Sequence, residues 1–221
     1  MISNIYTQKY TLRITGIISI FVALLTTTAD ELLQYSPQGY GSYAYVRDFA
    51  LWRSLSGHVL GVVAIPLLAI GYWHVCHALK LSGVKHTSAF FWIMVYGLAI
   101  GAAAHGTFAG VVTLIQTGAT PATGQNYFLT YSGPLFAVAL LCYASVSIWY
   151  CITILSKRTL YPKWMAFLSP FFISLLIALF QSSNIVPALG NILAPAWLNL
   201  AHVVFFTFST CVLWHVQKDY N

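Results

Sequence analysis

The chain has 221 residues, of which 59% are hydrophobic and 6% charged, with ten basic and four acidic side chains and a formal net charge of +6. A soluble domain carries roughly a quarter charged residues, so this composition excludes a soluble enzyme, a secreted disulfide scaffold and a disordered tail. The basic residues are scattered singly and cannot form a stripe along a phosphate backbone, which excludes nucleic acid as a partner.

What remains is an all-α polytopic membrane protein, a single domain over residues 1–221 with the lipid bilayer as its surroundings. A spanning helix needs about 20 mostly apolar residues. Six such segments are predicted, in chain order Leu12–Leu33, Ser54–Leu79, Ser88–Gln116, Thr130–Ser156, Lys163–Val186 and Leu193–Val216. The start resembles a signal peptide, with Lys9 and Arg13 before an apolar run and Thr27-Thr28-Ala29 as a cleavage site. The run continues into Leu32 and Leu33, however, and therefore reads as an uncleaved first span. Residues 88–156 contain no Asp, Glu, Lys or Arg, but the turn-rich Thr117–Gln125 (TGATPATGQ) divides them into two spans. Pro187–Pro195 (PALGNILAP) divides the later block in the same way.

Orientation follows from the basic residues. Lys9, Arg13, Lys80, Lys85, Lys157, Arg158, Lys163 and Lys218 fall on one side, and Arg47 and Arg53 on the other. Both termini are expected in the cytoplasm, and the setting that fits is a bacterial inner membrane. The four cysteines, Cys76, Cys142, Cys151 and Cys211, lie in spans without a CxxC pair and read as small apolar filler. His74 and His77, beside Trp73 and Lys80, and His215, beside Trp214, read as anchors at the membrane surface. Tyr35, Tyr40, Tyr43, Tyr45 and Trp52 read as an outer aromatic belt or a cap over the bundle.

Ionisable residues inside a membrane are costly and are the first functional candidates. Asp30 and Glu31 lie near the outer end of span one, with Thr26 and Thr27 on the Asp30 face. His58 begins span two, His105 lies past the midpoint of span three, and Gln181 to Asn184 close span five. Asn199 and His202 share a face of span six. At about 1.5 Å per residue these groups occupy a layer on the order of 10 Å thick, which predicts a polar pocket opening outward. Gly97, Gly101, His105 and Ala109 recur every four residues, the spacing of a close helix contact, so His105 is expected to point into the bundle.

The leading function is a membrane enzyme performing acid–base chemistry on an amphiphilic or isoprenoid-like substrate. Asp30, Glu31, His105 and His202 are its candidate catalytic groups, and Arg53, His58, Gln181, Asn184 and Asn199 its substrate-binding groups. The alternatives are an accessory subunit of a membrane complex, a small transporter or channel, and a b-type haem electron carrier. No metal or other cofactor is expected. Zinc on His58, His105, His202 and Asp30 lacks any ligand spacing to support it. Haem pairing of His58 with His202 and of His74 with His215 runs three residues, roughly 4.5 Å, out of register. A homo-oligomer or a larger complex stays open as partner.

The order of motifs adds a resemblance. Ala29-Asp30-Glu31-Leu32-Leu33 is followed by Arg53, then by Gly57, Gly61 and Pro66, then by Ala104-His105-Gly106-Thr107-Phe108. Over roughly the first half, this resembles an uncharacterised family of small bacterial six-span integral membrane proteins. The resemblance implies that fold and gives weight to Asp30, Arg53 and His105; it implies no reaction.

Overall fold

The computed structural model describes residues 2–37, 43–183 and 185–215. Tyr40, Asn184 and Lys218 lie outside the described residues, as do Val216 and the side chain of His215. All regular structure among the described residues is helical. Helix α1 spans Ile2–Gln34, and a 3-10 turn follows at Tyr43–Asp48. Helix α2 spans Leu51–Leu67 and α3 spans Ala69–Leu81. They form one stretch broken at Leu68, because Pro66 brings no N–H to the helical ladder. Helix α4 is Thr87–Gln116. Helix α5, Pro121–Tyr127, runs through a π-helical turn, Phe128–Ser132, into α6, Gly133–Ser156. A 3-10 turn at Lys163–Leu168 precedes α7, Pro170–Ser183; α8, Pro187–Leu193, and α9, Trp197–His215, complete the bundle.

Five stretches among the described residues are long and apolar enough to cross a membrane: Gln8–Gln34, Leu51–Leu81, Thr87–Gln116, Pro121–Ser156 and Trp197–Trp214. The expected span Lys163–Val186 is divided instead. Ser169 is extended (φ −60°, ψ 144°), the conformation forced on a residue before proline, and α7 starts afresh at Pro170. Two segments expected as turns are partly helix. In 117–125 only Thr117–Thr120 turns; Thr120 then caps α5, its hydroxyl accepting from the Thr123 N–H at 3.2 Å. In 187–195, Pro187 opens α8 from the first-turn position where a missing N–H costs nothing.

Helix α1 packs on α2 and α9, α2 on α4, α4 on α6, and α7 on α9. Glycines set the closest approach. A Cβ on Gly57 would lie 2.9 Å from the Ala29 carbonyl and the Leu33 amide, so α1 and α2 touch backbone to backbone there. The main core buries Leu68, Leu79, Met165, Phe205 and Phe206, and Phe90 stacks on Trp149 at 3.8 Å to join α4 and α6. A second cluster closes the end of the bundle where α1 finishes, with Val46, Tyr43, Tyr45 and Phe49 packed on Leu33, Phe108, Val112 and Ile115. The uncovered helix faces are apolar, with Ile17, Phe21, Leu24, Val63, Trp92, Leu141, Ile152 and Leu176 exposed, as a lipid solvent requires.

Cations close the helix C-termini, where carbonyls lack partners. Lys163 Nζ donates to the carbonyls of Ile154, Leu155 and Lys157 at 2.7–2.8 Å, closing α6. Arg13 lies 4.3 Å over the Trp214 ring and donates to its carbonyl at the end of α9.

Candidate functional site

Helix α1 carries Asp30 one turn before its end, buried at 8% exposure. Helix α4 brings His105 against it, with imidazole Nδ1 3.3 Å from Asp30 Oδ1. The other ring nitrogen, Nε2, donates to the Gly57 carbonyl of α2 at 3.2 Å. Gly61, one turn further along α2, leaves the slot in which the ring lies; a Cβ there would overlap the imidazole. From α9, Asn199 Nδ2 donates to Asp30 Oδ2 at 2.6 Å. Thr26 and Thr27 do not join this group, because both hydroxyls turn back to the Ala23 carbonyl of their own helix.

These bonds count protons. A carbonyl only accepts, so His105 Nε2 carries a hydrogen. If Nδ1 carried none, a carboxylate would face a lone pair. One proton must therefore lie between Nδ1 and Oδ1, either on the imidazolium or on the carboxylic acid. In both forms the pair is neutral as a whole and holds a transferable proton.

The pair lines a cavity of about 320 Å³ between the α4–α6 and α1–α9 pairs. Ile65, Leu68, Met94, Leu98 and Phe136 form much of its apolar wall. Tyr43, Phe108, Phe128 and Trp197 also line it, and Asn199, His202, Ser132 and Tyr143 add polar residues. Asn191 of α8 donates to the Pro37 carbonyl at 3.1 Å and ties the chain just past the C-terminus of α1 to the segment leading into α9. Outside the spans, burial first and the neighbouring Tyr43 second push the Tyr45 phenol well above its usual range, with Arg53 opposing, so this phenol stays neutral.

His202 reaches the cavity through its ring, but both nitrogens are engaged. Nδ1 donates to the Leu198 carbonyl at 2.9 Å, which leaves Nε2 to accept from the Tyr72 hydroxyl at 2.8 Å. This geometry makes it a fixed neutral acceptor rather than a base with a free lone pair.

The other sequence candidates lie elsewhere. Glu31 is one residue, about 100° of helical turn, away from Asp30 and does not line the cavity. Arg53 donates to the carbonyls of Leu32 at 2.8 Å, Glu31 at 3.1 Å and Tyr35, and stacks on Phe49 at 3.6 Å. It closes the C-terminus of α1 instead of facing the cavity. His58 lies beside Gly106 on the α2–α4 seam, with its buried Nδ1 unpartnered. Gln181 packs against Gly190 of α8.

Sequence reasoning missed three hydroxyls, Tyr72, Ser132 and Tyr143, and misplaced His74. His74 is fully buried, not at the membrane surface. The Thr15 hydroxyl donates to the Thr11 carbonyl, so His74 Nδ1 donates to Thr15 Oγ1 at 3.1 Å. Nε2 then accepts from Ser209 at 3.1 Å, and Tyr161 donates to Ser209 at 2.8 Å. The helical phase held the signal: Trp73 and His77 share a face and stack at 4.8 Å, which turns His74 away from them. Among the described residues, no group of three or more His, Cys, Asp or Glu side chains could hold a metal ion, so the four proposed zinc ligands do not converge.

No curated protein and no solved structure is significantly similar to the chain. A family profile matches residues 1–216, and the chain belongs to that family, DUF6796, a family of unknown function.

Proposed function

We propose that this is a six-span membrane protein with both termini in the cytoplasm, whose cavity performs acid–base chemistry on an amphiphilic or isoprenoid-like molecule. The sixth crossing combines the 3-10 turn Lys163–Leu168 with α7. Six residues at about 2.0 Å and fourteen at about 1.5 Å give roughly 33 Å, close to the ~30 Å hydrocarbon core.

The observation that carries the chemistry is the 3.3 Å approach of His105 Nδ1 to Asp30 Oδ1, a distance that calls for a shared proton, at the wall of an apolar cavity. Such a pair gives a proton to one substrate atom or takes one from another without leaving a net charge in the bilayer. Asn199 orients the carboxylate and the Gly57 carbonyl orients the imidazole. Tyr72 and His202 support the wall. The transporter reading draws support from the buried Thr15–His74–Ser209–Tyr161 chain, which puts polar groups in the half expected to be apolar.

Solvent deuterium tests the acid–base reading. Purified protein in liposomes containing a total lipid extract is incubated in D2O, and lipids are followed by mass spectrometry. Wild type is expected to introduce deuterium at a carbon position of one lipid class, and Asp30→Asn to abolish this. Equal labelling by both proteins, or none by wild type, would overturn it.

A further inference from the structure

We infer that the cavity takes an uncharged, oxygen-bearing apolar lipid, a long-chain alcohol, ketone or quinone, and rejects phosphate- and carboxylate-bearing lipids. The inference rests on the reading of the cavity as the ligand site and names what that site accepts.

Charge supplies the first argument. Among the described residues, no Lys or Arg lines the cavity. Arg53, which reaches the end of the helix that carries Asp30, donates to the carbonyls there. The Asp30–His105 pair is neutral as a whole, as its proton count requires. An anionic headgroup in this cavity would be desolvated with no cation to answer it, and a buried charge without a partner is strongly disfavoured.

Unmet hydrogen bonds supply the second. Ser132, at 1% exposure, lines the cavity with a hydroxyl that has no partner. It ends the π-helical turn Phe128–Ser132, and such turns re-aim side chains, frequently at functional sites. Tyr143, eleven residues further along α6, also lines the cavity with a buried hydroxyl lacking a partner. Its polar neighbour Ser174 donates to the Phe171 carbonyl at 2.8 Å, so it can only accept from Tyr143 and leaves the phenol oxygen without a donor. Natural interiors seldom leave such groups unpaired, so each points to a bound molecule that pairs with it. The two positions are roughly 16 Å apart along the helix axis, and the wall between them includes Phe136, Ala139 and Leu140. A long apolar body whose oxygen pairs with one of the two hydroxyls, while its chain runs along the wall towards the other, matches this arrangement. A flat ring would find Phe108, Phe128 and Trp197 to pack against.

Three probes of one chain length separate the chemistries: farnesol, farnesoic acid and farnesyl phosphate, each titrated into the detergent-purified protein and read by native mass spectrometry and thermal shift. Farnesol is expected to bind and to stabilise the protein, and the two anions to bind at least tenfold more weakly. Ser132→Ala and Tyr143→Phe each remove one oxygen and leave the shape. At least one should weaken farnesol binding by about fivefold, the value of a typical net hydrogen bond, while the ligand-free melting temperature stays near wild type. Equal or tighter binding of either anion would overturn the inference, as would farnesol binding indifferent to both substitutions. Asp30→Asn should still bind farnesol. If it does so while deuterium labelling proves independent of Asp30, the acid–base reading fails and the ligand inference stands.

Discussion

Two substitutions at Asp30 separate its shape from its charge. In Asp30→Asn, the new side-chain carbonyl accepts from Asn199, and the new amide donates to His105 Nδ1. His105 keeps its Nε2 hydrogen on the Gly57 carbonyl, so every bond of the native array survives. The expected loss of stability is below about 1 kcal/mol, since no buried group loses its partner. In Asp30→Ala, Asn199 Nδ2 and His105 Nδ1 both lose their partner. Each buried orphan costs about 1–3 kcal/mol, so the pair of losses amounts to roughly 2–6 kcal/mol. At roughly 2–4 °C per kcal/mol for a chain of this length, the melting temperature in detergent falls by at least about 4 °C. Tryptophan fluorescence during heating measures both variants against wild type. An Asn variant as unstable as the Ala variant would refute the proton count, and a neutral Ala variant would refute the array itself.

Three further outcomes follow from the same contacts. Arg53→Ala should destabilise the protein by about 1.5–3 kcal/mol, the range for hydrogen bonds to a charged group, without altering farnesol affinity, because Arg53 closes α1 and does not line the cavity. His74→Ala should cost at least about 1–3 kcal/mol, since Ser209 loses the ring nitrogen it donates to; unfolding in detergent measures this and the Arg53 variant alike. A reporter fused after Asn221 should read cytoplasmic, and a tag inserted at Gly118 should be reachable from outside. The opposite labelling would reverse the orientation drawn from the basic residues.

The sequence reveals the polar members of the site better than its walls. Asp30, His105, Asn199 and His202 stand out because an ionisable or amide group is expensive in hydrocarbon, and a 1.5 Å rise places all four at one depth. Hydroxyls carry no such signal. Tyr72 and Tyr143 read as ordinary span residues, and Ser132 becomes conspicuous only when a π-helical turn strands its oxygen. Arg53 misleads for a related reason. A loop arginine above a pocket looks like a substrate clamp, whereas its real partners are backbone carbonyls, which no side-chain pattern displays. The division of Lys163–Val186 was written in Ser169-Pro170, but apolar content outweighs one proline when a span is sought by hydropathy. Helices α5 and α8 were hidden in Pro- and Gly-rich stretches, because proline at a first helical turn looks the same in sequence as proline in a loop.

Nitrogen NMR of His105 tests the central claim most directly. With imidazole-labelled histidine, carboxyl-labelled aspartate and assignment by His105→Gln and Asp30→Asn, the wild type should show hydrogen on Nε2 and a second proton either at His105 Nδ1 or on the Asp30 carboxyl. In Asp30→Asn the same ring should become plainly neutral, with Nε2 protonated and Nδ1 a bare acceptor. A wild-type ring with a bare Nδ1 facing an Asp30 carboxyl whose carbon signal is that of an ionised carboxylate would show that no proton lies between His105 and Asp30.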